Sequence, residues 1–241
     1  MKPGLLAALF LALVPAGCET AGPYGGVLGG IVLPQSSGPL TAAEIDAGLR
    51  EALTLGTGNV AAQLGRPNGY FGDPKIRIPL PETYRDVQKN LALIGASGPL
   101  DDIELRINRA AEASVPEARS LIVGAIRSMT IEDALGILRG GNTAATDFLR
   151  ARTESQLTSA FTPHVRSALA SSGAFTALES YASSAGLGGA TSRLQADLTS
   201  HAVKLGLDGI FFYVAEEERK IRENPLARTT DLLRKVFGAS V

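Results

Sequence analysis

Apolar residues recur at helical spacing through almost the whole chain after residue 40. Thr41-Ala42-Ala43-Glu44 has the form of a capping box, and Leu40 and Ile45 occupy the flanking hydrophobic-staple positions, so a helix is predicted to start at Thr41. Ile45, Leu49, Leu53, Val60 and Leu64 fall on one face of it, and Gly65 followed by Pro67 supplies the stop. Lys75-Ile76-Arg77-Ile78 alternates polar and apolar between Pro74 and Pro79, with Pro81 beyond. That pattern predicts an extended segment over Lys75–Pro79, at most one short edge strand, because proline cannot donate to a ladder.

Pro81 suits the first turn of a helix running to about Ile94 with Tyr84, Val87 and Leu91 inward. Pro99 opens another bearing Leu100, Ile103, Ile107 and Ala110, which Val115-Pro116 is expected to interrupt before a further helix through Leu121, Ile122, Ala125 and Ile126. Thr130 to Asp133 reads as a fresh cap on a short helix ended by Gly140-Gly141, and Thr143 as the cap of a helix containing Phe148 and Leu157. Thr162-Pro163 is expected to start a new helix through Val165 and Leu169, followed by a weakly helical stretch from Ala174 to Ala185 and a loop at Gly186–Gly189. From Thr191 to Glu223 two apolar stripes run along opposite faces. Leu194, Leu198, Leu205 and Phe212 form one; Val203, Leu207, Ile210, Val214 and Ile221 form the other. A helix apolar on both sides is buried on both sides, which predicts a central helix about 45 Å long. Asn224-Pro225 ends it, and Leu226 to Phe237 reads as a closing amphipathic helix. The expected fold class is all-α: one multi-helix domain over residues 40–241 around a long central C-terminal helix, with no internal repeat.

The first 39 residues read differently. Lys2 precedes an apolar run from Leu5 to Val14, the length of a signal-peptide core and too short to span a bilayer. The run ends at Val14-Pro15-Ala16-Gly17-Cys18, which resembles the bacterial lipobox, at which the cysteine is diacylated and becomes the mature N-terminus. Pro15 stands where lipoboxes usually carry an aliphatic residue, and the alternative is a conventional signal peptide cut nearby. Residues 1–17 are thus read as a lipoprotein signal peptide, Cys18 as the lipidation site, and 18–39, rich in Gly, Pro and Ser, as a flexible tether. Glu19 rather than Asp follows the cysteine, which points to the outer membrane instead of the inner and to a domain facing the periplasm.

Composition narrows the function classes. The 241 residues are 45% hydrophobic and 20% charged, with a net charge of −1 and the two signs interleaved, so no basic footprint for nucleic acid is present. Cys18 is the single cysteine, which excludes an intramolecular disulfide and a thiolate set for zinc. His164 and His201 are the two histidines, and neither lies in an HExxH or ExxH spacing; Asp197 is one turn before His201. No Gly-x-Ser-x-Gly elbow occurs. No metal and no cofactor are expected. The anomaly is Glu216, one turn after Phe212, where the stripe asks for an apolar residue. A buried carboxylate needs a partner, and Glu216 or the adjacent Glu217 is expected to pair with Arg109, Arg106 or Arg77 across the bundle. Asn108, Arg109, Glu216 and Glu217 are therefore the candidate polar cluster, as a structural ion pair first and a polar ligand site second.

Several segments resemble one bacterial family, the domain of unknown function 4197. They are Asn68-Gly69-Tyr70-Phe71 with Lys75 to Pro81, Asn108-Arg109-Ala110-Ala111-Glu112, Met129 to Ala134, Gly141-Asn142-Thr143-Ala144-Ala145-Thr146, Leu207-Asp208-Gly209-Ile210-Phe211 with Ala215-Glu216-Glu217, and Ile221 to Pro225 through Phe237-Gly238. The resemblance implies an exported, often lipid-anchored, mostly helical protein and brings no activity with it. The expected role is a non-enzymatic binding or structural module of the envelope, tethered to the membrane through Cys18 and open to a protein partner. Two alternatives stand beside it. A carrier of a small apolar or amphipathic ligand requires a cavity beside Phe212 and Leu205, and an unrecognised enzyme requires Glu216 and Arg109 to line one open pocket.

Overall fold

The Thr41 hydroxyl accepts from the Glu44 amide at 3.2 Å while the Glu44 carboxylate accepts from the Thr41 amide at 2.9 Å, so helix α1 (Ala42–Leu64) starts at its capping box. The same reciprocal pair, Thr130 with Asp133, opens α4 (Ile131–Arg139). The computed structural model describes residues 40–184, 188–224, 226, 228 and 230–238; the signal segment 1–17, Cys18 and the tether 18–39 lie outside them. Six further helices complete the domain: α2 (Glu82–Ala92), α3 (Gly98–Arg127), α5 (Ala144–Ala170), α6 (Gly173–Ser184), α7 (Gly188–Glu223) and α8 (Asp231–Gly238). Residues Pro39–Val241 form one compact unit. Its fold is all-α, with no strand among the described residues.

Four boundaries differ from expectation, the simplest being that the closing helix, expected from Leu226, begins at Asp231. Pro116 and Pro163 do not end helices; α3 and α5 run through them. Each proline lacks the amide that would bond one turn back, a loss of about 3 kcal/mol in a helix interior. Both helices are buried on either side of the proline, by Ile107, Val115 and Ile122 on α3 and by Leu157, Phe161 and Leu169 on α5, and each such side chain contributes about 1.5–3 kcal/mol. Packing therefore outweighs the break. The prolines also lie at one level of the pair, since Glu117 and His164 meet at 3.5 Å. The last boundary is the expected loop at Gly186–Gly189: Gly188 and Gly189 already belong to α7, while 185–187 lie outside the described residues.

At 36 residues α7 extends about 54 Å. It packs on α1, α3, α5 and α6, but the centre is shared with α3, which meets α1, α2, α5, α6 and α7. The inward face of α7 is one broad band, Leu198, Ala202, Val203, Leu207, Ile210, Phe211 and Val214, rather than two opposite stripes. Phe211 is buried and Phe212, expected inward, is 38% exposed. Val87 on α2 also faces outward, and α2 buries none of its residues fully because its apolar side covers a narrow strip of α3.

Helix ends are closed by side chains from elsewhere in the domain. Arg50 of α1 donates to the carbonyls of Ile126 (2.6 Å) and Arg127 (2.9 Å) at the end of α3 and to that of Met129 just beyond it. Arg228 does the same for α7, donating to Ile221 at 3.0 Å and to Arg222 at 2.8 Å. Lys235 of α8 reaches back to Glu44 at 2.6 Å and ties the last helix to the first.

Candidate functional site: two buried carboxylate centres and an arginine-lined groove

Glu104, Asn108 and Glu112 recur every four residues on α3, beside the apolar row Ile103, Ile107 and Ala111, and all three polar side chains are buried. They grip the irregular segment between α1 and α2. Glu112 accepts from the amides of Tyr70 (3.1 Å) and Phe71 (3.2 Å) and from Arg109 (2.6 Å), whose second nitrogen donates to Asn68 at 2.8 Å. Asn108 acts as a one-residue strand: its carbonyl accepts from the Ile78 amide at 2.9 Å and its NH2 donates to the Ile78 carbonyl at 2.8 Å. Glu104 accepts from Arg77 at 2.7 Å and Gln88 at 3.0 Å. The expected edge strand is thus only partly extended: Lys75 and Ile76 lie in a turn, with the Ile76 and Arg77 amides donating to the Asp73 carbonyl at 3.2 and 2.8 Å, and the neighbour of Ile78 beyond it is a side chain instead of a second strand; Ile76, Ile78 and Leu80 are buried.

Tyr70 is fully buried and donates to the Gly206 carbonyl at 2.7 Å, passing over Gly209, where a Cβ would stand 2.8 Å from the ring. Burial and the nearby Glu112 charge hold its phenol well above the ordinary range, so it remains a donor. Asn68 turns the chain into this segment with φ of 66°, a conformation that asparagine tolerates better than most residues. His201 donates to the Pro79 carbonyl at 2.9 Å and fastens the far side of the segment to α7.

The second centre lies at the other end of α7. Glu218 is buried and accepts from the amides of Ala145 (3.0 Å) and Thr146 (2.9 Å) and from the Thr146 hydroxyl (2.8 Å), and it pairs with Arg222 at 2.9 Å. Ala145 and Thr146 are in the first turn of α5, so a carboxylate 72 residues away does the work of a cap, and Thr143 makes no capping bond. Arg222 also donates to the Ile137 carbonyl at 2.8 Å, and Asn142 to Glu223 at 2.8 Å, joining the ends of α4, α5 and α7.

The candidate cluster read from the sequence is divided by this geometry. Asn108 and Arg109 belong to the first centre. Glu216 pairs with Arg219 on its own helix, and Glu217 with Lys220 at 2.6 Å and Asn59 at 3.0 Å. Neither meets Arg109, Arg106 or Arg77, which pair with Glu112, Asp102 and Glu104. The buried carboxylate expected at Glu216 is at Glu218, because Phe211 rather than Phe212 points inward and shifts the buried row. Its signal was present: Glu218 is four residues after Val214 and seven after Phe211, with Arg222 four further on. Glu112 was likewise missed as a partner, although the four-residue spacing from Glu104 and Asn108 marks it.

The open surface beside the first centre is a groove of about 510 Å³ between α3 and α5, flanked by Arg106, Arg109, His164 and Ser171 over a floor of Ala110 and Ala113. Arg106 is held by Asp102 at 2.7 Å and Ser171 at 3.3 Å, and the guanidinium draws the Asp102 carboxyl below its ordinary range. Among the described residues no helix is long and apolar enough to cross a membrane, and no group of three or more His, Cys, Asp or Glu is placed to hold a metal ion. No curated protein and no solved structure matches the chain. The segments that hold the two centres, from Asn68 to Pro81, Asn108 to Glu112, Gly141 to Thr146 and Glu216 to Asn224, all fall within residues 39–238, the span matched by the model of a family described as a protein of unknown function, and the chain belongs to that family, DUF4197.

Proposed function

We propose that this chain is a lipid-anchored protein of the bacterial envelope, tethered by Cys18, whose helical domain serves as a binding or scaffolding module and not as an enzyme. The observation that supports the second half is the use made of buried charge. Glu104, Glu112 and Glu218 are occupied by main-chain amides and neighbouring arginine or glutamine, which leaves them no free acid or base for a reaction. Arg109 and Glu216, the pair that an enzyme reading needs in one pocket, have separate partners. The surface assigned to binding is the α3/α5 groove, where Arg106 and Arg109 are fixed by carboxylates on one side and open to solvent on the other.

The first half rests on the lipobox-like Val14-Pro15-Ala16-Gly17-Cys18. Mass spectrometry of the protein from membrane and soluble fractions of its native host tests it. A diacylglyceryl group on Cys18, with Cys18→Ser releasing the chain to the soluble fraction, is the expected result. An unmodified, soluble chain overturns the anchor, and a lipid that copurifies stoichiometrically with the domain moves the carrier reading ahead of the module.

A further inference from the structure

We infer that the turn between α2 and α3 is a membrane-contacting tip, which inserts the side chains of Leu93 and Ile94 into the surface of a zwitterionic lipid bilayer. The two residues are adjacent and are 85% and 76% exposed, whereas Leu55, Ile131 and Phe212, apolar side chains elsewhere on the surface, are more than half covered. Val87, two turns before Ile94, extends the apolar surface along α2. Single exposed apolar residues are ordinary, but a contiguous apolar projection marks a contact.

The turn is built to hold these side chains outward. The Gly95 amide donates to the Ala92 carbonyl at 3.1 Å and the Ala96 amide to the Leu91 carbonyl at 2.9 Å, the paired bonds of a Schellman ending, with Gly95 at φ of 72°. A Cβ on Gly95 would meet nothing within 4 Å, so glycine serves the backbone angle and not packing. The Ile94 amide also donates to the Leu91 carbonyl, at 3.1 Å. These amides are satisfied within the turn, which is what entry into an apolar medium demands of a backbone. Leu91 to Leu100 contains no charged residue. The charges that flank it have partners: Lys89 has Asp86 at 3.9 Å, and Asp101 accepts from Gln88 at 2.6 Å and Ser97 at 2.7 Å.

A bilayer fits this tip better than a protein does. Two side chains on a convex turn fall well short of the roughly 800 Å² that each side of a stable protein interface buries, whereas fluid hydrocarbon closes around a small protrusion. Attraction to anionic headgroups needs lysine or arginine, which Leu91 to Leu100 lacks, so insertion rests on the aliphatic side chains alone. The inference rests on the envelope reading for the presence of a bilayer. Arg50 meets Ile126, so the start of α1 lies beside the far end of α3, a helix of about 45 Å. Residues 18–39 can span about 70 Å when fully extended, so a lipid on Cys18 leaves the tip within reach of the same bilayer. The anchor then supplies attachment and the tip supplies orientation.

The chain contains no tryptophan, so Leu93→Trp places a single indole at the tip. That variant, isolated from its native host, is mixed with vesicles of phosphatidylcholine and phosphatidylethanolamine. Its emission is expected to shift to the blue, to be quenched by lipids brominated on their acyl chains, and to keep the shift in high salt. Ile131→Trp, beyond the opposite end of α3, is expected to keep the emission of an indole in water. Adding Ile94→Asp to the Leu93→Trp chain is expected to abolish the shift and leave the thermal midpoint unchanged, since Ile94 packs on nothing inside the domain. Emission at position 93 that stays unshifted overturns the tip; if the chain floats with the vesicles all the same, the anchor stands without it. A shift in a chain whose Cys18 is unmodified supports the tip and removes the anchor. The inference is also overturned if both tryptophans shift, because the whole domain then adsorbs, or if high salt removes the shift. A blue shift without quenching overturns it as well, because the tip is then buried against protein.

Discussion

Glu112 and Glu218 are the same device used twice. Each is a buried carboxylate that accepts from two consecutive main-chain amides and from one arginine on its own helix, three residues before it in one case and four after it in the other. The difference lies in what surrounds the arginine. The Arg222 side chain is 11% exposed and also serves α4, whereas that of Arg109 is 40% exposed and lines a groove. One centre is closed and purely architectural; the other fastens the 68–80 segment inward while showing a cation outward. The amides differ as well, since those at Glu218 open a helix and add its dipole to the pairing.

That contrast ranks the consequences of breaking each centre. Glu218→Ala leaves two helix amides and a hydroxyl without a partner and an enclosed guanidinium without its counter-charge, and it is expected to lower stability by about 3–5 kcal/mol in denaturant unfolding. Glu112→Ala strands two amides, but Arg109 can turn to water, so a loss nearer about 2 kcal/mol is expected, with hydrogen exchange rising first at Tyr70 and Phe71. Equal losses at the two sites would show that the exposure of the arginine is irrelevant. Gly209→Ala probes the first centre from the α7 side. Its new methyl would stand 2.8 Å from the Tyr70 ring and 3.2 Å from Ile76, and an overpacking loss of about 1–3 kcal/mol is expected by the same unfolding measurement.

The smallest effect concerns a half-buried surface pair. The bond from Lys235, with those from Thr41, lowers the Glu44 carboxyl to about 2 from its ordinary 4.5. A lowered folded-state value means that the contribution is complete above about 4.5 and is lost as pH falls toward about 2. The difference in thermal midpoint between the native chain and Lys235→Met should accordingly shrink across that window, and a difference that stays constant with pH would remove Glu44 as its source.

Local chemistry made much of the fold legible. The capping boxes at Thr41 and Thr130 are complete within four residues, so they could be read without knowing the tertiary structure. The starts and stops of α1 and α4 followed. Pro116 and Pro163 misled because the energy that overrides them comes from helices distant in sequence, a quantity no local window contains. The same reason hid the sites. Glu218 answers to Ala145 and Thr146, and Glu112 to Tyr70 and Phe71; in both cases the partner is a main-chain amide, which carries no residue type to recognise. Phe211-Phe212 gave a further ambiguity, since adjacent aromatics leave the phase of a helix undetermined, and choosing Phe212 displaced the buried acid by two positions. Asn108 and Arg109 were found because their segment is distinctive, but their companions were misassigned for the same reason of phase.

The remote cap on α5 bears on how the polypeptide is made. Ribosomes deliver residue 145 long before residue 218, so during synthesis the first turn of α5 waits with bare amides while some seventy residues are added. Nor can α1 be tied to its last neighbour until Lys235, near the very end, is released. The domain thus reaches its final state only after Glu218 and Lys235 have joined the helices made before them.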